Sequence, residues 1–241
     1  MIPAGPVTAR AVTGPHLAVR GRPDGGAIIS GMAGFSYKTS WLAVRDRTPD
    51  EVADALDLRE RASADWAAGT DLAYRRGVYV TAPVPGWTLA HGRTQLPPGF
   101  DATDRAFPQW LSGLSQRLGE VQFFATERVS EYHVWARAVA GVILRAYCFD
   151  YSRQEAALCV GEPSVDEIEL GVSVGEPGPE SQHWSEEEWD AWVDAGPSEW
   201  TVLAIAGRWS VDPRTIDDAV DGGIYGIPPQ RGQGRPGTAA R

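Results

Sequence analysis

From Gln154 to Gly207 the chain has no lysine and no arginine, yet it holds thirteen aspartates and glutamates. A surface built from this stretch cannot neutralise phosphates, so direct nucleic-acid binding is not expected of it. Cysteine is also scarce. Cys148 and Cys159 lack CxxC spacing and a neighbouring histidine pair, so neither a zinc site nor a disulfide framework is indicated, and both read as small buried apolar residues. No run of roughly 18 apolar residues is present to span a bilayer, and the first thirty residues lack the apolar segment of a secretory signal, so a cytoplasmic location away from membranes is expected. Walker A and HExxH sequences are missing, and no GxGxxG follows a strand-like run. Nucleotide hydrolysis, a Rossmann cofactor and zinc proteolysis lose their usual support, and no cofactor is expected. The acids do not follow the spacing of a calcium loop, so no metal is expected either.

What is present is enough for a folded core: 241 residues, 43% of them hydrophobic. Residues 1–31 are rich in Pro and Gly without sustained periodicity and read as a disordered extension, with Met32 as an alternative start. Residues 222–241 read as a second loose tail. A single domain over 32–221 is expected between them. Against a total of −10, the first segment carries +2 and the tail +3, which leaves −15 on residues 32–221.

Within the domain, 35–45 alternates as a strand, and TPDE then starts a helix with Thr48 as N-cap, Pro49 at its first position and Glu51 closing a capping box. A second helix falls within 63–75. GVYVTAP and GWTLAHG read as a hairpin joined by a Pro-Gly turn. Trp110, Leu111, Leu114 and Leu118 form the apolar stripe of a helix over 104–118, stopped by Gly119.

Four strand-like runs follow over about 121–160 and predict an antiparallel meander. Pairing Trp135 with Tyr147 places Val134 opposite Cys148, Ala136 opposite Ala146 and Ala138 opposite Leu144, with the turn at Gly141. Small apolar residues then share one face, and Glu131, His133, Trp135, Arg137, Arg145, Tyr147 and Phe149 share the other. Helix signals resume with a capping box at Ser164 and Glu167, and another at Ser185 and Glu188 flanked by a Trp184/Trp189 staple. Further helices are expected at 199–208 and from Asp212 and Pro213 onward. The whole reads as an α+β fold with a central antiparallel sheet packed by helices.

Two regions carry candidate chemistry. In the meander, His133 would act as general base, oriented by Glu131 or Glu127, beside Arg137 and Tyr147. The competing expectation is a half-exposed cross-strand histidine, with the aromatic and arginine face covered by a C-terminal helix whose carboxylates pair with the arginines. In the acidic stretch, Glu186, Glu187, Glu188, Asp190 and Asp194 would attract a basic protein partner, or form only a solvated face.

The segments SYKTSWLAVRDRTPDEVADALDL, GVYVTAPVPGWTLAHG, LGEVQFFATERVSEYHVWARAVAG, ILRAYCF, GEPSVDEIELG and WTVLAIAGRWSVDP resemble a family of uncharacterised actinobacterial proteins, similar in style to immunity proteins of polymorphic toxin systems. The resemblance covers most of residues 36–218. It implies a non-catalytic acidic interaction protein and assigns no residue a role. A small-molecule enzyme or binding protein using the His133 face, and a structural or regulatory subunit, are the alternatives.

Overall fold

Thr48 accepts a hydrogen bond from the Glu51 amide while Glu51 reaches back to the Thr48 amide, so the first helix begins where its capping box dictates. The computed structural model describes residues 38–127, 129–130, 132–150, 155–172, 179–216 and 222–229. Among them nine strands form one sheet: β1 (Thr39–Arg45), β2 (Arg59–Ala64), β3 (Val78–Val80), β4 (Trp87–Gly92), β5 (Glu120–Glu127), β6 (Tyr132–Val139), β7 (Val142–Asp150), β8 (Glu155–Val160) and β9 (Gly223–Ile227). Their order is β2-β9-β3-β4-β1-β5-β6-β7-β8. Every neighbouring pair is antiparallel. Six helices accompany them: α1 (Pro49–Ala55), α2 (Trp66–Arg75), α3 (Phe107–Leu118), α4 (Val165–Glu169), α5 (Glu186–Asp194) and α6 (Glu199–Trp209). The fold is α+β.

Helices cover both faces of the sheet. On one, α1 packs on β3, β4 and β9, and α3 packs on β5, β6 and β7. Their apolar residues close over Leu42, Val80, Phe123, Ala136 and Cys148. On the other, α2 packs on β2, β3, β4 and β9, and α6 packs on β5 and β6. Val202, Ile205, Ala206 and Trp209 of α6 close there over Phe124, Trp135 and Tyr147. Because side chains alternate across a strand, the strands inside the sheet serve both cores.

The meander register holds at Trp135↔Tyr147, Val134↔Cys148 and Ala136↔Ala146. It departs at Ala138, which pairs with Ile143 instead of Leu144. A bulge at Leu144 absorbs the extra residue and leaves its side chain 50% exposed, whereas Ile143 packs into the core below α3. The expected helix after Asp212 is only a 3₁₀ turn at Pro213–Thr215 among the described residues, with Asp212 capping the Arg214 amide.

The loose tail expected from 222 onward is corrected by β9. Gly223–Ile227 lies between β2 and β3 and pairs with both, one strand in from the edge of the sheet. Its glycines follow from close packing. A Cβ on Gly223 would lie 2.3 Å from the Tyr79 hydroxyl, and one on Gly69 of α2 would lie 2.2 Å from the Tyr79 ring. Two missing side chains therefore make room for one buried tyrosine, which offsets the helix-propensity cost of Gly69, roughly 1 kcal/mol. Residues 1–31 and 231–241 lie outside the described residues.

Candidate functional site

A row of rings crosses the sheet on the α2/α6 face. In register, Tyr79 pairs with His91, His91 with Trp41, Trp41 with Phe124, Phe124 with Trp135 and Trp135 with Tyr147. Trp41 stacks on Phe124 at 5.2 Å, and Trp135 stacks on Tyr147 at 4.8 Å. Such offset contacts add to area burial and make the row a structural spine.

His133 belongs to the next row, and this corrects the expectation that it is half-exposed. Its side chain is 0% exposed. The ring Nδ1 lies 3.1 Å from the Thr126 hydroxyl on β5. Glu127 does not orient it: that carboxylate emerges on the opposite face, where it meets Lys38 Nζ at 3.1 Å. Arg137, at the half-buried rim, pairs with Glu120 at 2.8 Å, and Tyr147 is buried beneath its neighbours. Glu131 lies outside the described residues. The chain thus brings His133, Trp135 and Tyr147 together as core under α6 rather than as an open constellation.

The covering-helix expectation also named arginine–carboxylate pairs, and one is realised within this core. Arg145 Nε lies 3.0 and 3.1 Å from the two oxygens of Glu167 on α4, and its Nη2 lies 2.6 Å from one of them. Arg145 Nη1 donates to the carbonyls of Val160 and Gly161. Burial by itself would raise the Glu167 carboxyl, but the Arg145 hydrogen bonds and the Ser164 amide outweigh it and hold the group below its usual range. The indole of Trp135 also favours that charged form. The Ser164–Glu167 capping box therefore does double service: it starts α4 and aims the carboxylate at the sheet. Cys148 is buried as expected, but Cys159 on β8 is exposed.

The second buried histidine, His91, is pushed down to about 3 by burial. Thr70 lies 3.4 Å from its Nε2, and Tyr79 meets its ring edge-on. With an unfolded value near 6.5, the folded state takes up fewer protons below that pH. Its contribution is fully present above about pH 6.5 and is lost as pH falls toward 3, at about 1.4 kcal/mol per unit. Urea titrations should show wild-type stability falling by about 2 kcal/mol between pH 6.5 and 5 from this group, and His91→Gln should remove that part of the slope. Equal slopes in the two proteins would show that His91 is not held neutral.

The acidic stretch divides in two. Asp166 and Glu169 of α4 reach Arg208 of α6 at 3.5 and 2.8 Å, so those acids serve internal packing. On α5, Glu188 returns to the Ser185 amide at 2.7 Å, and this backbone bond, then the Ser185 hydroxyl, lowers its carboxyl. Glu186, Glu187 and Asp190 are exposed and form no ion pair with the described residues. The Asp194 side chain lies outside the described residues. Beside these acids, Trp184, Trp189 and Trp192 form a half-buried trio with centroid separations of 5.1 to 6.4 Å. The staple is real, and α5 is not among the helices packed closely on the sheet.

Sequence reasoning gave no signal for a third feature. At the ends of β1, β5, β6 and β7 a cleft of about 370 Å³ opens against the loop 93–101. Its residues are scattered over five segments, so no local motif marks it. The loop is pinned rather than loose. Leu96 is 3% exposed, Phe100 meets Trp110 edge-on at 5.8 Å, and the Ala102 amide donates to the Tyr132 hydroxyl at 2.9 Å. Burial, reinforced by Cys148, pushes the Tyr132 phenol far above its ordinary value, so it remains neutral.

Among the described residues, no three His, Cys, Asp or Glu side chains cluster to hold a metal ion, and no helix is long and apolar enough to cross a membrane. The chain matches no family model, no curated protein and no solved structure.

Proposed function

We propose that the chain is a non-catalytic acidic interaction protein, immunity-like in style, that receives a basic protein partner on α5. The observation that carries this reading is the contrast between the two acidic helices: the α4 carboxylates are consumed by Arg145 and Arg208, whereas Glu186, Glu187 and Asp190 stay exposed and form no ion pair among the described residues. Exposed acids without internal partners keep their full field for an incoming cation, and the surplus of −15 over residues 32–221 extends that field. The adjacent tryptophan trio supplies amphipathic surface of the kind enriched where protein contacts are tightest. Burial of His133, Trp135 and Tyr147 under α6 favours this reading over one that places catalysis on their face.

The test uses the full chain as bait in a lysate of the source organism, beside a variant with Glu186, Glu187, Glu188 and Asp190 all changed to lysine. A basic protein should be retained by the wild type at about 50 mM salt, be depleted at about 300 mM, and be missing from the variant at both. Purified partner should show the loss mainly in its association rate. Retention that ignores both salt and charge reversal would overturn the proposal.

A further inference from the structure

We infer that the cleft at the strand ends, beside the loop 93–101, binds a small zwitterion carrying a carboxylate and an ammonium group, such as a free α-amino acid. This goes beyond the proposed function and involves none of the α5 residues. The volume, about 370 Å³, lies in the lower part of the roughly 300–1,000 Å³ range of small-molecule pockets. The floor is apolar, from Leu96, Phe100 and Ala125, and the rim carries charges of both signs.

Those rim charges are not equivalent. Lys38 and Glu127 pair with each other at 3.1 Å and close one side. Arg93 is different. It is exposed and pairs with no carboxylate among the described residues, and its guanidinium is steadied over the Tyr74 ring at 4.9 Å. A guanidinium held by its face keeps its N–H fork available for a planar carboxylate. Asp101 also lines the cleft, and among the described residues only its Oδ1 is engaged, by the Thr103 amide at 2.8 Å and hydroxyl at 2.6 Å. Its Oδ2 remains as an acceptor for an ammonium.

The surrounding charge narrows the ligand class. A surplus of −15 over residues 32–221 repels a purely anionic ligand from Arg93, whereas a simple cation would leave the Arg93 fork unused. A molecule bearing both charges meets both groups at no net charge. The pinning of the loop through Phe100 and Ala102 means that the cleft exists before a ligand arrives, so little ordering opposes binding.

The experiment is calorimetric titration of the full chain with the protein-building α-amino acids one at a time, with acetate and methylammonium as single-charge probes. At least one amino acid should bind saturably, and more tightly than either single-charge probe. Arg93→Gln and Asp101→Asn should each weaken that binding by about tenfold or more with the melting midpoint unchanged. Arg59→Gln, on the far edge strand β2, should bind as wild type does. The inference is overturned if no amino acid binds up to about 10 mM, if acetate binds as tightly as the best amino acid, or if Arg93→Gln keeps wild-type affinity.

Discussion

Glu167→Leu should lower the stability of the domain by about 3–5 kcal/mol, because it leaves the Arg145 guanidinium buried without its counter-charge. Arg145 is 3% exposed and Glu167 0%, so water cannot replace the lost partner. The two carbonyls that Arg145 also engages satisfy donors and leave the charge uncompensated. Urea denaturation at pH 7 measures the loss. The double variant Arg145→Met with Glu167→Leu should recover much of it, since replacing both ions by apolar groups removes the desolvation cost as well. A single variant within about 1 kcal/mol of wild type would mean that the pair is not closed from water. The pH dependence has its own window: Glu167 is depressed in the folded state, so its contribution is present above about pH 4.5 and is lost as pH falls through the folded value. This lies below the first part of the His91 loss.

The largest effect is expected from a chain ended after Asp221, which should show no cooperative thermal transition. Without β9 neither β2 nor β3 has its partner on that side, and β2 has no other neighbour in the sheet. Tyr79 would lose the wall of its cavity at Gly223, and Ile224 would leave the α1/α3 core. A point variant separates pairing from mere length. Gly223→Val keeps the strand but drives a Cβ to 2.3 Å from the Tyr79 hydroxyl, and should cost about 1–3 kcal/mol or more. A cooperative transition near the wild-type midpoint in the truncated chain would show that β9 is dispensable.

Local chemistry made much of this fold legible. Capping boxes at Thr48, Ser164 and Ser185 marked helix starts because each is complete within four residues. The meander register could be read because a shift by one residue would exchange buried and exposed faces. The two strands that escaped, β2 and β9, lack such signals for physical reasons. Arg59, Glu60 and Arg61 are exposed, so this edge strand has no apolar face to alternate. In β9, glycines demanded by Tyr79 and Leu58 give the strand the composition of a loop.

The candidate sites were legible to a lesser degree. Alternation placed His133, Trp135, Arg137 and Tyr147 on one face, but whether a helix covers that face is a tertiary fact, decided by α6 some sixty residues later. The Arg145–Glu167 pair spans 22 residues with no period to connect them, and the cleft joins β1, β4's following loop and the β5–β7 ends. Neither leaves a pattern in a single stretch of sequence.

The place of β9 also sets an order of events during synthesis. Some 140 residues separate β3 from the strand that completes it, and until Gly223–Ile227 emerges the growing sheet ends at an open β3 edge with β2 unattached. The β4-β1-β5-β6-β7-β8 portion can pair earlier, mostly through short connections. Closure must then occur by pairing a late segment with the open β3 edge and β2 with that segment in turn, a non-local step of the kind that slows folding. The nascent chain therefore passes through an interval with an unprotected strand edge, which makes it a natural client for chaperones and most vulnerable to aggregation when synthesis outpaces closure.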